Sequence, residues 1–295
     1  MKYRTDLAVE GVEDMENKGI KPGEKDGIIV TNEEIDKDIK VTTVDVTSLK
    51  GEAMVGRPMG RYVTMEVKGL MEGENNLIQR ASKALASQLS KLVKHSYYLK
   101  VLVVGLGNEK VTPDSLGPAT VSKVKITSHL FKFFDCDGAE DMSNVCGLAP
   151  GVTAVTGMET AELIQKAVEL TEPDVVIAID ALAARNIDRV STTIQLSDTG
   201  ISPGAGMGNM RKQLNEETLG TKVIAIGVPT VIDSKTLILE AAEAMNLSDA
   251  QINAYLAERD FDMVVTSTDI DFLIKAFSDI IANAMNDVLH PGIYS

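Results

Sequence analysis

Hydrophobic positions in the first part of this chain alternate with polar ones. Between residues 27 and 67 this alternation predicts strands of a small, mostly antiparallel region. Its apolar positions are Val41, Val44, Val46, Tyr62, Val63, Met65 and Val67. The stretch from Ser48 to Gly60 contains glycine and proline and is predicted to be a loop. Residues 74–94 have apolar side chains at helical spacing and predict a helix.

Beyond residue 98 the pattern changes to continuous apolar runs. Such runs, separated by helical patterns, are typical of parallel strands that are buried on both faces. The runs lie at residues 99–106, 174–179, 222–226 and 263–265. The helical patterns lie at residues 118–124, 159–170, 234–245 and 268–289. The N-cap of the last helix is predicted to be Ser267 or Thr268.

The alternation of strand and helix predicts an α/β fold. We expect a single doubly wound, mostly parallel sheet flanked by helices, with residues 27–67 as a small N-terminal antiparallel β appendage. With 295 residues, 44% of them hydrophobic, the chain is long enough to bury a substantial core. One α/β domain is therefore the prediction.

Charge and composition exclude several classes of function. The net charge of −14 argues against sequence-independent binding to nucleic acid or to an anionic membrane. No apolar run approaches the roughly 20 residues that span a bilayer, and the N-terminus lacks the apolar stretch of a secretory signal. Cys136 and Cys146 are too far apart for a Cys-x-x-Cys motif and are interpreted as idle thiols in a reducing compartment. We expect a cytoplasmic protein.

Two aspartates occupy positions where an open parallel sheet binds ligands, near the carboxyl ends of its strands. Asp114 lies in the loop that follows the first apolar run, and Asp180 directly follows the second. Two carboxylates at one edge of a sheet are suited to acid–base work, because repulsion keeps one ionised and the other protonated. Two alternatives remain open: Asp114 caps the helix that starts near Gly117, or both aspartates are independent structural groups.

Other motifs carry weaker signals. The Gly105-Leu106-Gly107 loop suggests a nucleotide-binding module, but Lys110 stands where the third glycine of the dinucleotide motif belongs. Asp198-Thr199-Gly200 matches the tripeptide of pepsin-like proteases, which are all-β, and is interpreted here as a turn. The glycine-rich loop that contains Gly204 and Gly206 is predicted either to hold a phosphate or peptide backbone or to be a mobile surface flap.

Metal and serine chemistry have little support in the sequence. The three histidines, at positions 95, 129 and 290, are scattered, without the spacing of a zinc motif. A Gly-x-Ser-x-Gly elbow is absent from the sequence. We expect neither a cofactor nor a metal, although a metal-dependent hydrolase stays open as an alternative.

The same segments resemble the germination proteases of endospore-forming bacteria, almost from end to end. The matching stretches are residues 4–10, 103–108, 111–118, 149–152, 177–185, 195–201 and 223–231. The resemblance implies an atypical aspartic endopeptidase, with Asp114 and Asp180 as its catalytic pair. It also implies a fold similar to that of the hydrogenase maturation proteases, which share a Gly-x-Gly-Asn loop and bind metal. The loops with Gly105, Gly107, Asn108, Gly204 and Gly206 are then candidates for binding substrate or the oxyanion.

The resemblance further implies the biological setting. Such enzymes degrade the small acid-soluble proteins of the spore core during germination, are made as zymogens that process themselves, and assemble as homotetramers. Family substrates are cut after an acidic residue and before a large apolar one. Residues 5–10 are similar to that context, so cleavage is predicted between Asp6 and Leu7, with residues 1–6 as propeptide and 7–295 as the peptidase.

Two departures from the family pattern stand out. The connection between Asp233 and the last apolar run is short, where Bacillus members carry a long insertion, so any role of that insertion is in doubt here. Ser202 stands where several relatives have histidine, which argues against a catalytic role for that position.

Overall fold

The computed structural model describes residues 4–73, 76–96, 98–133, 142–204, 212–257 and 263–294. Its strands are β1 (Ile28–Asp36), β2 (Ile39–Val46), β3 (Gly60–Val67), β4 (Lys100–Gly105), β5 (Asn144–Leu148), β6 (Val175–Ala184), β7 (Thr193–Ser197), β8 (Lys222–Asp233) and β9 (Val264–Thr266). Its helices are α1 (Ala8–Asn17), α2 (Leu49–Val55), α3 (Leu77–Leu92), α4 (Leu116–Val121), α5 (Ser128–Phe133), α6 (Thr153–Thr156), α7 (Thr160–Thr171), α8 (Glu216–Leu219), α9 (Ser234–Ala244), α10 (Asp249–Ala257), α11 (Ile270–Leu289) and α12 (Pro291–Tyr294).

The described strands form one mixed sheet in the order β1-β2-β3-β7-β8-β6-β4-β5, and β9 pairs with the far end of β8. The central strands β5, β4, β6 and β8 are parallel, as their apolar sequences predict. Strands β1, β2, β3 and β7 are antiparallel to their neighbours. The α/β prediction is confirmed, and the N-terminal strands extend the central sheet through the pairing of β3 with β7.

Helices cover both faces of the central sheet. On one face, Val103, Ile177 and Ile226 pack in a large core with helices α3 and α11. On the other face, Val176 and Ala178 pack against Ile164 of α7. Because neighbouring residues of a strand point to opposite faces, the even-numbered residues of β6 share this second face. Asp180 therefore belongs to the face of Val176 and Ala178.

Two local predictions are wrong. The stretch predicted as a loop between Ser48 and Gly60 contains α2, because the Ser48 side chain accepts a hydrogen bond from the Gly51 N–H and caps the helix. The N-cap of α11 is Asp269 rather than Ser267 or Thr268. The Ser267 hydroxyl accepts instead from the Asp269 N–H at 3.2 Å, so it closes a turn before the helix begins.

The second and third apolar runs continue further than predicted. Strand β4 ends at Gly105, which is opposite Ile179, while β6 and β8 go on pairing with each other up to Ala184 and Ile232. Asp180 therefore lies inside β6 instead of beyond its end, and the prediction of a strand terminus there is wrong. Asp180 is the first residue of β6 that no longer pairs with β4. It therefore still lies at the carboxyl edge of the sheet where β4 ends.

Candidate active site

Asp180 is held on the sheet face between two apolar clusters. Before it on β6, Val176 and Ala178 pack beneath α7, and after it Leu182 packs against Leu7 and Val9. The residue is only 5% exposed, and its Oδ1 accepts a hydrogen bond from the Ala181 N–H at 2.9 Å. A carboxylate at such a buried strand position costs free energy unless its polar atoms are bonded or used.

Asp114 is the last residue of a short 3₁₀ turn, Thr112–Asp114, that follows β4. Its Oδ2 accepts from the Asn108 N–H at 2.8 Å, and its backbone carbonyl accepts from the same N–H at 3.0 Å. The N-cap of α4 is Ser115, and that helix has no side-chain cap. The alternative interpretation of Asp114 as a helix cap is therefore wrong, and its side chain closes the loop onto Asn108.

Gly107 explains why this loop can close so tightly. It has φ +106°, and a Cβ at this position would lie 2.0 Å from the Asp114 carbonyl oxygen. No side chain fits in that space. The glycine therefore allows the backbone of Asp114 to approach the end of β4, which determines where the carboxylate lies.

One cavity brings the two predicted aspartates together. Asp114 and Asp180 both line a cleft of about 290 Å³ at the carboxyl edge of the parallel strands. Its other walls are mostly apolar or backbone, including Leu106, Val111, Gly151, Val152, Val231 and Val264. Two carboxylates that share a poorly solvated cleft are suited to acid–base catalysis, because like-charge repulsion favours one ionised and one protonated group.

The N-terminal segment forms part of the same cleft. Asp6 lines it, and the Asp6 N–H donates to the Ala183 carbonyl at 2.8 Å. The Ala183 N–H in turn donates to Asp6 Oδ2 at 2.9 Å. Desolvation raises the pKa of the Asp6 carboxyl above its usual 3.8, although the Ala183 hydrogen bond and the charge of Arg57 act in the opposite direction. Glu10 adds a smaller upward effect.

The residues around Asp6 are fixed by further contacts. Leu7 is fully buried beside Val9, Leu182 and Ala184. The Gln195 side chain donates through Nε2 to the Asp6 carbonyl at 2.9 Å and accepts through Oε1 from the Ala8 N–H at 2.8 Å. Both sides of the Asp6–Leu7 peptide bond are therefore held by a single glutamine of β7.

The candidate glycine loops divide into two groups. Gly107 and Gly204 line the cleft with the aspartates. Gly105 is the last residue of β4. A Cβ there would lie 2.3 Å from the Gly117 carbonyl oxygen, so the glycine allows β4 and α4 to pack closely. The Asn108 N–H is engaged by Asp114. Gly206 lies outside the described residues.

Asp198 lies apart from the cleft, as its interpretation as a turn predicts. Its Oδ1 accepts from the Arg61 N–H at 2.7 Å, which joins the end of β7 to the start of β3. It is not among the residues that line the cleft, and Gly200 follows with φ +79°. The tripeptide thus has a structural role in the described part of the chain.

Two contributors to the site carry no signal in the sequence. Thr230 of β8 donates through its hydroxyl to the Pro113 carbonyl at 2.7 Å, which ties the turn of Asp114 to the strand beside Asp180. Gln195 belongs to a stretch that matches the germination proteases, yet nothing local marks it as a contact of the N-terminal segment. Both contacts join residues that are more than a hundred positions apart, so no local pattern reveals them.

Metal and membrane features are absent from the described part of the chain. No group of three or more His, Cys, Asp or Glu that would hold a metal ion occurs among those residues. None of the described helices has the length and apolar character that a bilayer crossing requires.

A mixed sheet whose central strands are parallel, and which presents two carboxylates in one cleft, fits an α/β hydrolytic enzyme. The chain belongs to the germination protease family, whose family model matches residues 6–247. It is therefore an endopeptidase of spore germination, as its resemblance to that family implies.

Relatives at high identity extend over nearly the whole chain. The germination protease of Clostridium perfringens is 40% identical over 316 residues, covering 98% of this chain and 96% of the relative. That of Caldanaerobacter subterraneus is 40% identical over 313 residues, covering 98% and 95%. That of Bacillus subtilis is 44% identical over 243 residues, covering 81% of this chain and 66% of the relative.

Proposed function

We propose that Asp114 and Asp180 are the catalytic pair of this endopeptidase and that they hydrolyse peptide bonds by activating water. The observation that carries the proposal is that both carboxylates line one cleft at the carboxyl edge of the sheet. The buried setting of Asp180 and the tight loop around Asp114 hold the two groups without long flexible side chains.

The reaction then follows general acid–base logic. The ionised carboxylate takes a proton from water, and the resulting hydroxide bonds to the carbonyl carbon of the substrate. The protonated carboxyl gives its proton to the leaving amine as the C–N bond breaks, so the products are a carboxylic acid and an amine. Backbone amides near Gly107 and Gly204, which line the cleft, are the proposed donors to the oxyanion.

The proposed substrates are the small acid-soluble proteins of the spore core, and the proposed assembly is a homotetramer in the forespore cytoplasm. This part of the proposal rests on membership of the germination protease family. No nucleic acid, membrane, cofactor or metal takes part in the proposed activity.

We also propose that the enzyme is made as a zymogen and is processed between Asp6 and Leu7. In support, Asp6 lines the same cleft as Asp114 and Asp180, so the proposed cleavage site and the proposed catalytic pair share one cavity. Residues 1–6 would then be the propeptide, and residues 7–295 the peptidase.

The test uses purified full-length chain with an acid-soluble spore protein as substrate. Native protein is expected to yield a processed form that begins at Leu7 and to degrade the spore protein, as followed by mass spectrometry. Asp114→Asn and Asp180→Asn variants should do neither. Cleavage by both variants would overturn the catalytic assignment, and active enzyme that still begins at Met1 would overturn the processing site.

A further inference from the structure

The carbonyl of Asp6 belongs to the peptide bond proposed for processing, and its oxygen already has a side-chain donor. Gln195 Nε2 donates to that oxygen at 2.9 Å. Hydrolysis converts this carbonyl oxygen into an oxyanion, and a donor aimed at it lowers the barrier when the site excludes water. Gln195 is 8% exposed, so its amide is largely shielded from bulk solvent.

The orientation of the amide is determined by the chain itself. The Ala8 N–H donates to Gln195 Oε1 at 2.8 Å. A backbone N–H requires an acceptor and a carbonyl requires a donor, so only one flip of the amide satisfies both neighbours. Ala8 remains in the chain after cleavage between Asp6 and Leu7. The processed enzyme therefore keeps Nε2 directed at the position of the Asp6 carbonyl.

The register of the sheet relates Gln195 to the catalytic pair. Gln195 is opposite Gly227 on β8, and Gly227 is opposite Asp180 on β6. Residues that are directly opposite share a face of the sheet, so Gln195 and Asp180 point to the same side. Strands lie about 4.8 Å apart, which separates the two Cα atoms by about 10 Å. Asp6 links the two strands: its N–H donates to the Ala183 carbonyl of β6, and its own carbonyl accepts from Gln195 of β7.

We propose that Gln195 is a catalytic residue that donates a hydrogen bond to the oxyanion during hydrolysis, both in self-processing and on protein substrates. The inference deepens the proposed function and rests on its cleavage site. The substrate carbonyl that precedes the scissile bond takes the place of the Asp6 carbonyl. Gln195 supplies a side-chain donor from a neighbouring cavity that shares Asp6 and Leu182 with the cleft, and the proton transfers remain with Asp114 and Asp180.

A second cavity, of about 180 Å³, provides a matched control. Gln195 and Gln213 both line it, together with Asp6, Arg57 and Tyr62 as its titratable groups. Replacing either glutamine by glutamate adds the same charge to the same cavity. Gln195→Glu keeps an acceptor for Ala8 and removes the donor, whereas Gln213→Glu alters no group that contacts the Asp6 carbonyl among the described residues.

The experiment measures the rate of self-processing of the full-length chain, then kcat and KM for an acid-soluble spore protein with material processed to completion. For Gln195→Glu we expect kcat and the processing rate to fall about 10²–10³-fold, as for loss of one oxyanion donor, with KM nearly unchanged. Activity of this variant should return as the pH is lowered, because the introduced carboxyl regains an O–H donor when it is protonated. Gln213→Glu should stay near the native rate and show no such return.

Three outcomes would overturn the inference: equal effects of the two substitutions, a rise in KM with kcat unchanged, or the absence of recovery at lower pH. Thermal unfolding checks that the variants are folded.

If Gln195→Glu does not fold, Gln195→Met is measured in its place, and a native kcat in that variant contradicts the inference. Loss of cleavage in Asp114→Asn with native kcat in the Gln195 variants would reject the oxyanion role alone. Retained cleavage in both aspartate variants would reject the catalytic pair instead.

Discussion

Asp6 and Ala183 bind each other through two hydrogen bonds: the Asp6 N–H donates to the Ala183 carbonyl, and the Ala183 N–H donates to the Asp6 carboxylate. Ala183 lies three residues beyond Asp180 on the same strand. This pairing ties the start of the chain to the strand that carries a proposed catalytic group. A change in the protonation of Asp6 therefore alters a hydrogen bond to the strand that carries Asp180.

The pKa of Asp6 makes the attachment of the N-terminal segment dependent on pH. Because that pKa is raised, the folded chain holds the proton of the Asp6 carboxyl more tightly than the unfolded chain does. The stability that this contributes is complete below pH 3.8 and is lost as the pH rises through the raised pKa. In an inactive Asp114→Asn background, we expect Asp6→Asn to unfold at a higher temperature than Asp6 at pH 8 and at a similar temperature near pH 4. Thermal unfolding at the two pH values measures this difference.

The exposed Asp271 provides the control, since Asp271→Asn should not raise the unfolding temperature at pH 8. If Asp6→Asn raised the unfolding temperature equally at pH 8 and pH 4, the rise would not come from ionisation of Asp6, and the prediction would be contradicted.

Substitution distinguishes the proposed catalytic pair from Asp198, which does not line the cleft. Asp114→Asn and Asp180→Asn keep the size of the side chains and should each lower hydrolysis of an acid-soluble spore protein by at least about 10²-fold, the range of acid–base catalysis. Asp198→Asn retains an oxygen that accepts from the Arg61 N–H and should keep nearly native activity. Initial rates of substrate loss make the comparison, and a large loss in Asp198→Asn alone would point to the wrong pair.

The tight loop at Gly107 predicts a coupled loss of stability and activity. A Cβ at Gly107 collides with the Asp114 carbonyl, whereas Gly220, with φ +71°, has no atom within 4 Å of its Cβ position. Both alanine substitutions carry the conformational cost of positive φ, about 1–2 kcal/mol. Only Gly107→Ala should also displace Asp114 and abolish activity. Urea unfolding and activity assays on both variants test this, and an active Gly107→Ala enzyme would contradict the proposed role of the loop.

A buried histidine predicts loss of stability in mild acid. His290 is fully buried, and its Nε2–H donates to the Lys125 carbonyl at 2.9 Å, while Nδ1 has no hydrogen-bond partner among the described residues. Desolvation lowers its pKa below 6.5, the hydrogen bond to the Lys125 carbonyl acts in the opposite direction, and the charge of His95 adds a smaller lowering effect. The stability is complete above 6.5 and is lost as the pH falls through the lowered pKa, because the unfolded chain then binds the extra proton.

We expect His290→Gln, which retains a donor for Lys125, to lose less stability than the native chain between pH 7.5 and 5. The exposed His129 is the control, and His129→Gln should behave like the native chain. Chemical unfolding at both pH values provides the comparison, and equal pH dependence in all three proteins would reject the assignment.

The family-level function and the central sheet were accessible from the sequence because they depend on local patterns. Continuous apolar runs predict the parallel strands β4, β6 and β8, since a strand buried on both faces needs apolar side chains on both. The wrong predictions also have local causes. The glycine and proline between Ser48 and Gly60 suggest a loop, but the Ser48 cap allows α2 to form there. The ends of β6 and β8 could not be predicted, because each strand continues only where it pairs with the other.

The sequence by itself determined the α/β fold, the family and the two aspartates that are candidates for catalysis. Only the tertiary structure decided that Asp114 and Asp180 share one cleft, that Asp6 lies in its wall, and that Gln195 holds the Asp6 carbonyl. The reason is physical: Gln195 and Asp6 are 189 residues apart, and their contact arises from the order and register of strands. Hydrophobic periodicity reports how each segment is buried, but not which distant segment lies beside it.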